Sequence, residues 1–242
     1  MTYVFLLLAG KSTRFGGEIP KQFLKVKNKY IFEYPLKTFD ELDEIHKITL
    51  VCDKEHFSFL SDFIKTHEFN HDVSLILGGN TRQESVYNGL KSLQKFANFN
   101  DKVLFHDACR PLVRKSEIIN LINTLDEFYG ASLAIPLYDS LCKENHKVID
   151  ISIKRENLMK LQTPQGFKFD IIYKAHQRAQ ESENFSYTDD TSLLMANGVK
   201  IKLVDGSIFN FKITTKDDLI LFERLLEGFD FGWLPICRRR HY

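Results

Sequence analysis

The chain of 242 residues is short of several things, and each shortage removes a class of function. Its cysteines (Cys52, Cys109, Cys142 and Cys237) are scattered with no C-x-x-C pair, so neither a disulfide framework nor a zinc site is expected; free thiols in a reducing, cytoplasmic setting fit better. Charge of one sign is not in excess, because 33 Lys and Arg stand against 32 Asp and Glu. A general nucleic-acid or membrane-surface binder needs a large positive surplus. No apolar run is long enough to cross a bilayer. The run after Met1 stops at Lys11 and Arg14 and lacks a basic leader, which also excludes a signal peptide. Internal repeats and low-complexity stretches are absent.

What remains is the material of one α/β domain. Hydrophobic residues make up 43% of the chain, with 21 Phe, enough for a sizeable core. Short aliphatic runs at 4–9, 48–52, 73–77, 103–106, 131–137 and 199–204 read as strands, and helical patterns lie between them. This alternation predicts a Rossmann-like, mostly parallel twisted sheet with helices on both faces. Thr81 and Glu84 form a capping box for a helix carrying Val86, Leu90 and Leu93, and Thr215 with Asp218 forms another. Ser116 is positioned to cap a helix, Thr188 with Asp189 and Asp190 opens one, and Gly198 stops it. The stretch 210–215 reads as strand-like, whereas Gln162-Thr163-Pro164-Gln165 is too polar for a core strand and too rigid for a helix. The polar excursion 138–155 is either a projecting hairpin or a surface loop. The end, 229–242, is a tail with no assigned role.

Four places carry chemistry. After the first strand come Ala9 and Gly10, then Lys11, Ser12, Arg14 and Lys21 in a loop longer than a strand–helix connection needs. A glycine turn lets backbone N–H groups approach phosphate, and the cations oppose its charge. The spacing is neither a P-loop nor the dinucleotide fingerprint. Gly78-Gly79-Asn80-Thr81-Arg82 with Ser85 lies between a strand and a helix; a cation such as Arg82 in a first helical turn calls for an anionic partner. Asp107 and Arg110 close another strand, either as a structural ion pair or as a site. Lys212 sits in an apolar stretch and must reach solvent or an anion.

In this order the motifs resemble those of the 2-C-methyl-D-erythritol 4-phosphate cytidylyltransferases and of their relatives that make CDP-ribitol. The carriers are Leu8-Ala9-Gly10-Lys11-Ser12-Thr13-Arg14-Phe15, Pro20-Lys21-Gln22, Gly78-Gly79-x-x-Arg82-x-x-Ser85, His106-Asp107-x-x-Arg110-Pro111, Gln162-Thr163-Pro164-Gln165, Thr188-Asp189-Asp190 and Lys212-Ile213-Thr214. Ser12, Leu8, Asn80 and Ser140 depart from the usual residues of that family. The resemblance implies a nucleotidyltransferase domain over 1–228 that uses CTP, a polyol phosphate and Mg²⁺ held mainly by the triphosphate. It implies cytosine held by Ala9, Gly10, Gly79, Asn80 and Ser85, with Arg82 also on the substrate side. Arg14 and Lys21 would grip the triphosphate. Asp107, Arg110, Ser140, Arg155, Thr163, Thr188 and Lys212 would serve the polyol phosphate. The 138–155 excursion would be a β-arm exchanged in a homodimer, so that Arg155 reaches the partner's site. Ribitol 5-phosphate is the rival acceptor, although the Arg14–Lys21 interval and the Thr-Asp-Asp-x-Ser run look more like the erythritol enzymes. A nicotinamide-dependent reductase would need an intact glycine fingerprint, and a silent nucleotide binder would be expected to have lost one of Arg14, Lys21 or Lys212.

Overall fold

The structure, a computed structural model, describes residues 1–10, 15–16 and 19–230, the last three by backbone alone. In chain order the elements are β1 (Thr2–Leu7), β2 (Lys25–Val26), β3 (Lys29–Tyr30), α1 (Glu33–Asp40), β4 (Lys47–Cys52), α2 (Phe57–Thr66), β5 (Asp72–Leu77), α3 (Arg82–Leu93), β6 (Lys102–Asp107) and α4 (Lys115–Thr124). Then follow β7 (Gly130–Pro136), β8 (Leu141–Asn145), β9 (Val148–Ile153), β10 (Met159–Lys168), α5 (Phe169–Glu181), α6 (Asp190–Ala196), β11 (Ile201–Asp205) and α7 (Lys216–Asp230). A 3₁₀ turn, Lys21–Phe23, follows the first loop.

Seven strands form one sheet in the order β11-β7-β10-β6-β1-β4-β5. All pairs are parallel except those of β10, which is antiparallel to both β6 and β7. Successive side chains of a strand point to opposite faces, and β1 shows the result. Val4, Leu6 and Leu8 join a core with Ile48, Leu50 and Leu104 on one face. Tyr3, Phe5 and Leu7 join Val103, Phe105 and Phe167 on the other. Helix α3 lies so close to this second face that a Cβ on Gly89 would come within 2.8 Å of the Phe5 ring. Covering both faces buries β1 completely.

The capping boxes at Thr81/Glu84 and at Thr215/Asp218 form as read. Gly198, at φ +78°, follows the end of α6. Two caps are corrected. Helix α4 starts two residues earlier than Ser116 implies: Arg114 is the capping position, and its N–H donates to Glu117 at 3.1 Å. Helix α6 is capped by Asp189, not Thr188; the Asp189 carboxylate accepts from the Ser192 N–H at 2.7 Å.

Two segments exchange their expected states. Gln162–Gln165 lies inside β10 and is buried in the sheet, because Gln162 and Thr163 find polar partners there. The stretch 210–215 forms no strand; Asn210 is fully buried and bonds through its side chain instead. Within the excursion 138–155, β8 and β9 form a two-stranded antiparallel hairpin of their own, turned at His146 and Lys147, both at positive φ. Among the described residues no helix is long and apolar enough to cross a membrane. The 231–242 part of the tail lies outside the described residues.

Candidate active site

Strand order reverses at β1: the chain builds β4 and β5 on one side and β6 on the other. Ligands of open α/β sheets bind outside the carboxyl ends of strands at such a point. A cleft opens there, lined by Ala9, Gly10, Lys21, Arg82, Asp107 and Lys212, with Gln22 beneath.

Its first wall is the loop after β1. The N–H groups of Leu8 and Ala9 both donate to the Val51 carbonyl, at 2.8 and 3.0 Å. Gln22 Nε2 donates to the carbonyls of Leu8 (2.5 Å) and Gly10 (3.2 Å), tying the loop's two ends together. The 3₁₀ turn thereby sets Lys21, which is buried yet lines the cleft. The Phe23 ring anchors the same turn by stacking on His56, centroids 4.0 Å apart. Lys11, Ser12 and Arg14 lie outside the described residues.

Asp107, the last residue of β6, is the centre of the second wall. Its Oδ2 lies 3.0 Å from Lys212 Nζ and 3.3 Å from Arg110 Nε. Burial alone would raise this carboxyl's pKa, but Lys212, Arg110 and Arg82 outweigh burial and hold it well below the usual carboxylate range. Arg110 also donates from Nη1 to the Asn210 carbonyl at 2.8 Å. The ion pair read as a structural alternative therefore exists, and its Asp107 lines the cleft. The Lys212 segment is docked by Ile213 N–H donating to the Cys109 carbonyl at 2.8 Å.

A buried relay supports Asp107 from below. The Asp107 N–H donates to Thr163 Oγ1 at 3.0 Å, and that hydroxyl lies 3.2 Å from His106 Nδ1. His106 Nε2 lies 3.0 Å from the Arg110 carbonyl. A carbonyl can only accept, so Nε2 carries the hydrogen. Burial depresses the His106 pKa to about 4, which leaves Nδ1 bare to accept from the Thr163 hydroxyl.

The turn before α3 stands beside the cleft and brings Arg82 into its lining, whereas Gly79, Asn80 and Ser85 are not lining residues. A Cβ on Gly78 would lie 3.1 Å from that of Ala9 and 2.7 Å from Ser85 Oγ, so glycine lets this turn abut the end of β1. Ser85 Oγ accepts from the Gly79 N–H at 3.0 Å, and the Asn80 N–H donates to Glu84 at 2.6 Å. Arg82 has the anionic partner that its helical position demands: Nη2 lies 2.8 Å from Asp190 Oδ2.

Lys21, Lys212, Arg82, Arg110 and Asp107 thus converge. Ser140, Arg155 and Thr188 do not; all three are exposed and none lines the cleft. Arg155 donates to the Tyr138 carbonyl across the base of the hairpin. Four supporting residues had no assigned role. Gln22 pins the first loop, and Asp190 backs Arg82. Gln162 donates to the carbonyls of Ser207 (2.7 Å) and Asn210 (3.1 Å), while Asn210 donates to the Thr163 carbonyl at 2.8 Å. Gln22, Gln162 and Asp190 stood inside quoted motifs without a role of their own, and Asn210 beside one; Gln162, Asp190 and Asn210 meet partners across long stretches of chain.

Chemically, the cleft presents three cations, Lys21, Arg82 and Lys212, against one carboxylate among its described lining residues. Such an excess suits polyanions. No group of three or more His, Cys, Asp or Glu able to hold a metal occurs among the described residues.

Residues 2–228 match the family model described as IspD: 2-C-methyl-D-erythritol 4-phosphate cytidylyltransferase. A relative bearing that name from Clostridium botulinum is 38% identical over 225 residues, covering 93% of this chain and 96% of its own. Another, from Dictyoglomus thermophilum, is 39% identical over 229 residues, covering 91% and 94%. Among solved structures, 4-diphosphocytidyl-2C-methyl-D-erythritol synthase from Anaerococcus prevotii superposes with a TM-score of 0.79 at 27% identity, covering 93% of this chain and 98% of its own. The Francisella tularensis 2-C-methyl-D-erythritol 4-phosphate cytidylyltransferase gives 0.78 at 29% identity, covering 92% and 98%.

Proposed function

The chain belongs to the 2-C-methyl-D-erythritol 4-phosphate cytidylyltransferase family, and from that premise we propose how its cleft works. It is a nucleotidyltransferase of isoprenoid precursor synthesis, joining CTP to 2-C-methyl-D-erythritol 4-phosphate and releasing pyrophosphate. The ribitol 5-phosphate alternative is not favoured, since the matching family model and the relatives described above are all named for the methylerythritol reaction.

An oxygen of the acceptor's phosphate attacks the α-phosphorus of CTP. A new P–O bond forms there as the bond from the α-phosphorus to the bridging oxygen of the leaving pyrophosphate breaks. A phosphate monoester is largely ionised at neutral pH, its second pKa being about 6, so no general base is required. The barrier is the meeting of two polyanions and the charge that grows on the leaving oxygen. Fixed cations answer it without reorganising. The reading rests on one observation: Lys21, Arg82 and Lys212, distant in sequence, line one cleft with Asp107, which Arg110 engages from beside it. Lys21, with Arg14 from the sequence pattern, takes the α-phosphate and leaving-group oxygens. Lys212 receives the attacking phosphate, exchanging part of its contact with Asp107 for the incoming anion. Asp107 holds Lys212 and Arg110 in place and orients the acceptor's hydroxyls. Ala9, Gly10, Gly79, Asn80 and Ser85 form the side that takes cytosine.

Asp107, already engaged by two cations, is a poor start for a protein-held metal. Mg²⁺ is therefore assigned chiefly to the triphosphate, with water completing its octahedron, where it supplies charge neutralisation. The hairpin is assigned to a homodimer, with Ser140 and Arg155 serving the partner's cleft. Support comes from Val148 and Ile149, which are 67% and 71% exposed on β9, an apolar surface of the kind that partners cover. A cytoplasmic location rests on the free thiols of Cys52, Cys109 and Cys142.

The test is pyrophosphate release with Mg²⁺, CTP and each polyol phosphate in turn. Turnover is expected with methylerythritol phosphate and not with ribitol 5-phosphate; the reverse result refutes the assignment.

A further inference from the structure

Arg82 stands at the first position of α3, where unpaired N–H groups make a cation unfavourable. It nevertheless turns its guanidinium inward, 31% exposed, to line the cleft. Compensation comes from outside the cleft. Asp190 is 1% exposed and is not a lining residue; its Oδ2 lies 2.8 Å from Arg82 Nη2, and its Oδ1 lies 3.0 Å from Nε2 of the fully buried His176. The neighbouring Gln83 fixes the same junction, donating to the Asn184 carbonyl at 2.9 Å. Arg82 is also attracted electrostatically by Asp107 from the cleft side. The guanidinium is thus suspended between two carboxylates, one facing substrate and one behind it.

We infer that Asp190 is a positioning residue for nucleotidyl transfer: anchored by His176, it holds Arg82 from behind so that the free edge of the guanidinium meets the anionic oxygens of CTP. This rests on the reading that the cleft takes CTP. A planar guanidinium offers five donors in a rigid fork, so fixing one edge aims the other. Without the buried carboxylate, Arg82 would swing toward Asp107 and occupy space that the nucleotide needs. A merely structural Asp190 would tie α6 to α3 and affect both substrates alike.

The experiment combines calorimetry of CTP with Mg²⁺, in the absence of acceptor, with steady-state kinetics. For Asp190→Asn, CTP affinity is expected to fall about tenfold, the scale of one charge-assisted hydrogen bond. KM for CTP should rise to match, and KM for methylerythritol phosphate should stay within about twofold. With Arg82→Gln as the second arm of a double-mutant cycle, the pair should bind CTP no more weakly than Arg82→Gln alone. Equal weakening of both substrates, or additive losses, overturns the inference. Should Asp190→Asn not fold, the double variant removes both charges together, and its CTP affinity against that of Arg82→Gln decides in the same way. Wild-type protein that binds no CTP would instead refute the functional reading itself.

Discussion

The cleft and the β8–β9 hairpin leave the sheet at the same end, because β10 runs antiparallel to both β6 and β7 and so leaves the carboxyl ends of those two strands at one end of the sheet, on either side of β10. Their surroundings differ sharply. In the cleft almost every charged or polar group has a partner within the chain: Asp107 has Lys212 and Arg110, Arg82 has Asp190, and His106 has Thr163 and Arg110. In the hairpin, Val148, Ile149 and Ile151 are at least half exposed and belong to none of the hydrophobic cores. Fixing charges against one another demands a rigid scaffold, since each buried ion would be costly alone. A hairpin on its own is marginally stable and has little to hold it to the rest of the chain. The lesson is that, at one end of the sheet, the cleft is organised from within while the neighbouring hairpin awaits contacts from outside.

Four measurements would break or sharpen that contrast. The largest effect is expected for Lys21→Ala, which should lower kcat by about two to three orders of magnitude, the scale of removing one transition-state donor; near-normal pyrophosphate release would take Lys21 out of the mechanism. Next comes acid. His106 is buried neutral with a pKa near 4, against 6.5 when free, so the unfolded chain takes up the proton first as pH falls. Its contribution is fully present above about pH 6.5 and drains by roughly 3 kcal/mol on the way to about pH 4. Denaturant midpoints across that window should therefore fall, and His106→Gln should flatten the fall; an unchanged slope in that variant counts against the relay. Thr163→Val should then cost about 1–3 kcal/mol, because it orphans the Asp107 N–H and His106 Nδ1. A loss under half a kilocalorie would show that the hydroxyl is dispensable. The smallest expected change falls on the hairpin side: Arg155→Ala should raise KM for the polyol phosphate about tenfold, near 1.4 kcal/mol, with CTP binding kept. Equal weakening of both ligands would erase the distinction between the two regions.

The sequence pattern disclosed the frame well where apolar periodicity is uninterrupted. The starts of β4, β5, β6 and β7 fall one residue from the predicted runs, and the box at Thr81 fixed α3. It misled where polarity is compensated at a distance. Gln162 and Thr163 look unfit for a buried strand until Ser207, Asn210 and His106 are known to meet them. The reverse holds at 210–215, whose apolar residues serve a loop docked by the Asn210 side chain and the Ile213 N–H. The site's cations were legible because a lone Lys or a first-turn Arg violates a local rule. Asp190 was not, since a carboxylate in a first helical turn obeys one and its burial depends on α3 and α5.

Between Leu161 and Gln165 the pairing of β10 with β7 slips. The backbone bonds of a regular ladder do not by themselves resist a slip of two residues, which keeps every side chain on its own face. Here the interruption hands the backbone to carboxamides: Asn210 seizes the Thr163 carbonyl, and Gln162 reaches across to Ser207 and Asn210. Those contacts fit in one alignment only, so the stretch bearing Lys212 seats on the sheet like a key in a lock. Shortening either amide would misplace the ammonium group while leaving every strand intact.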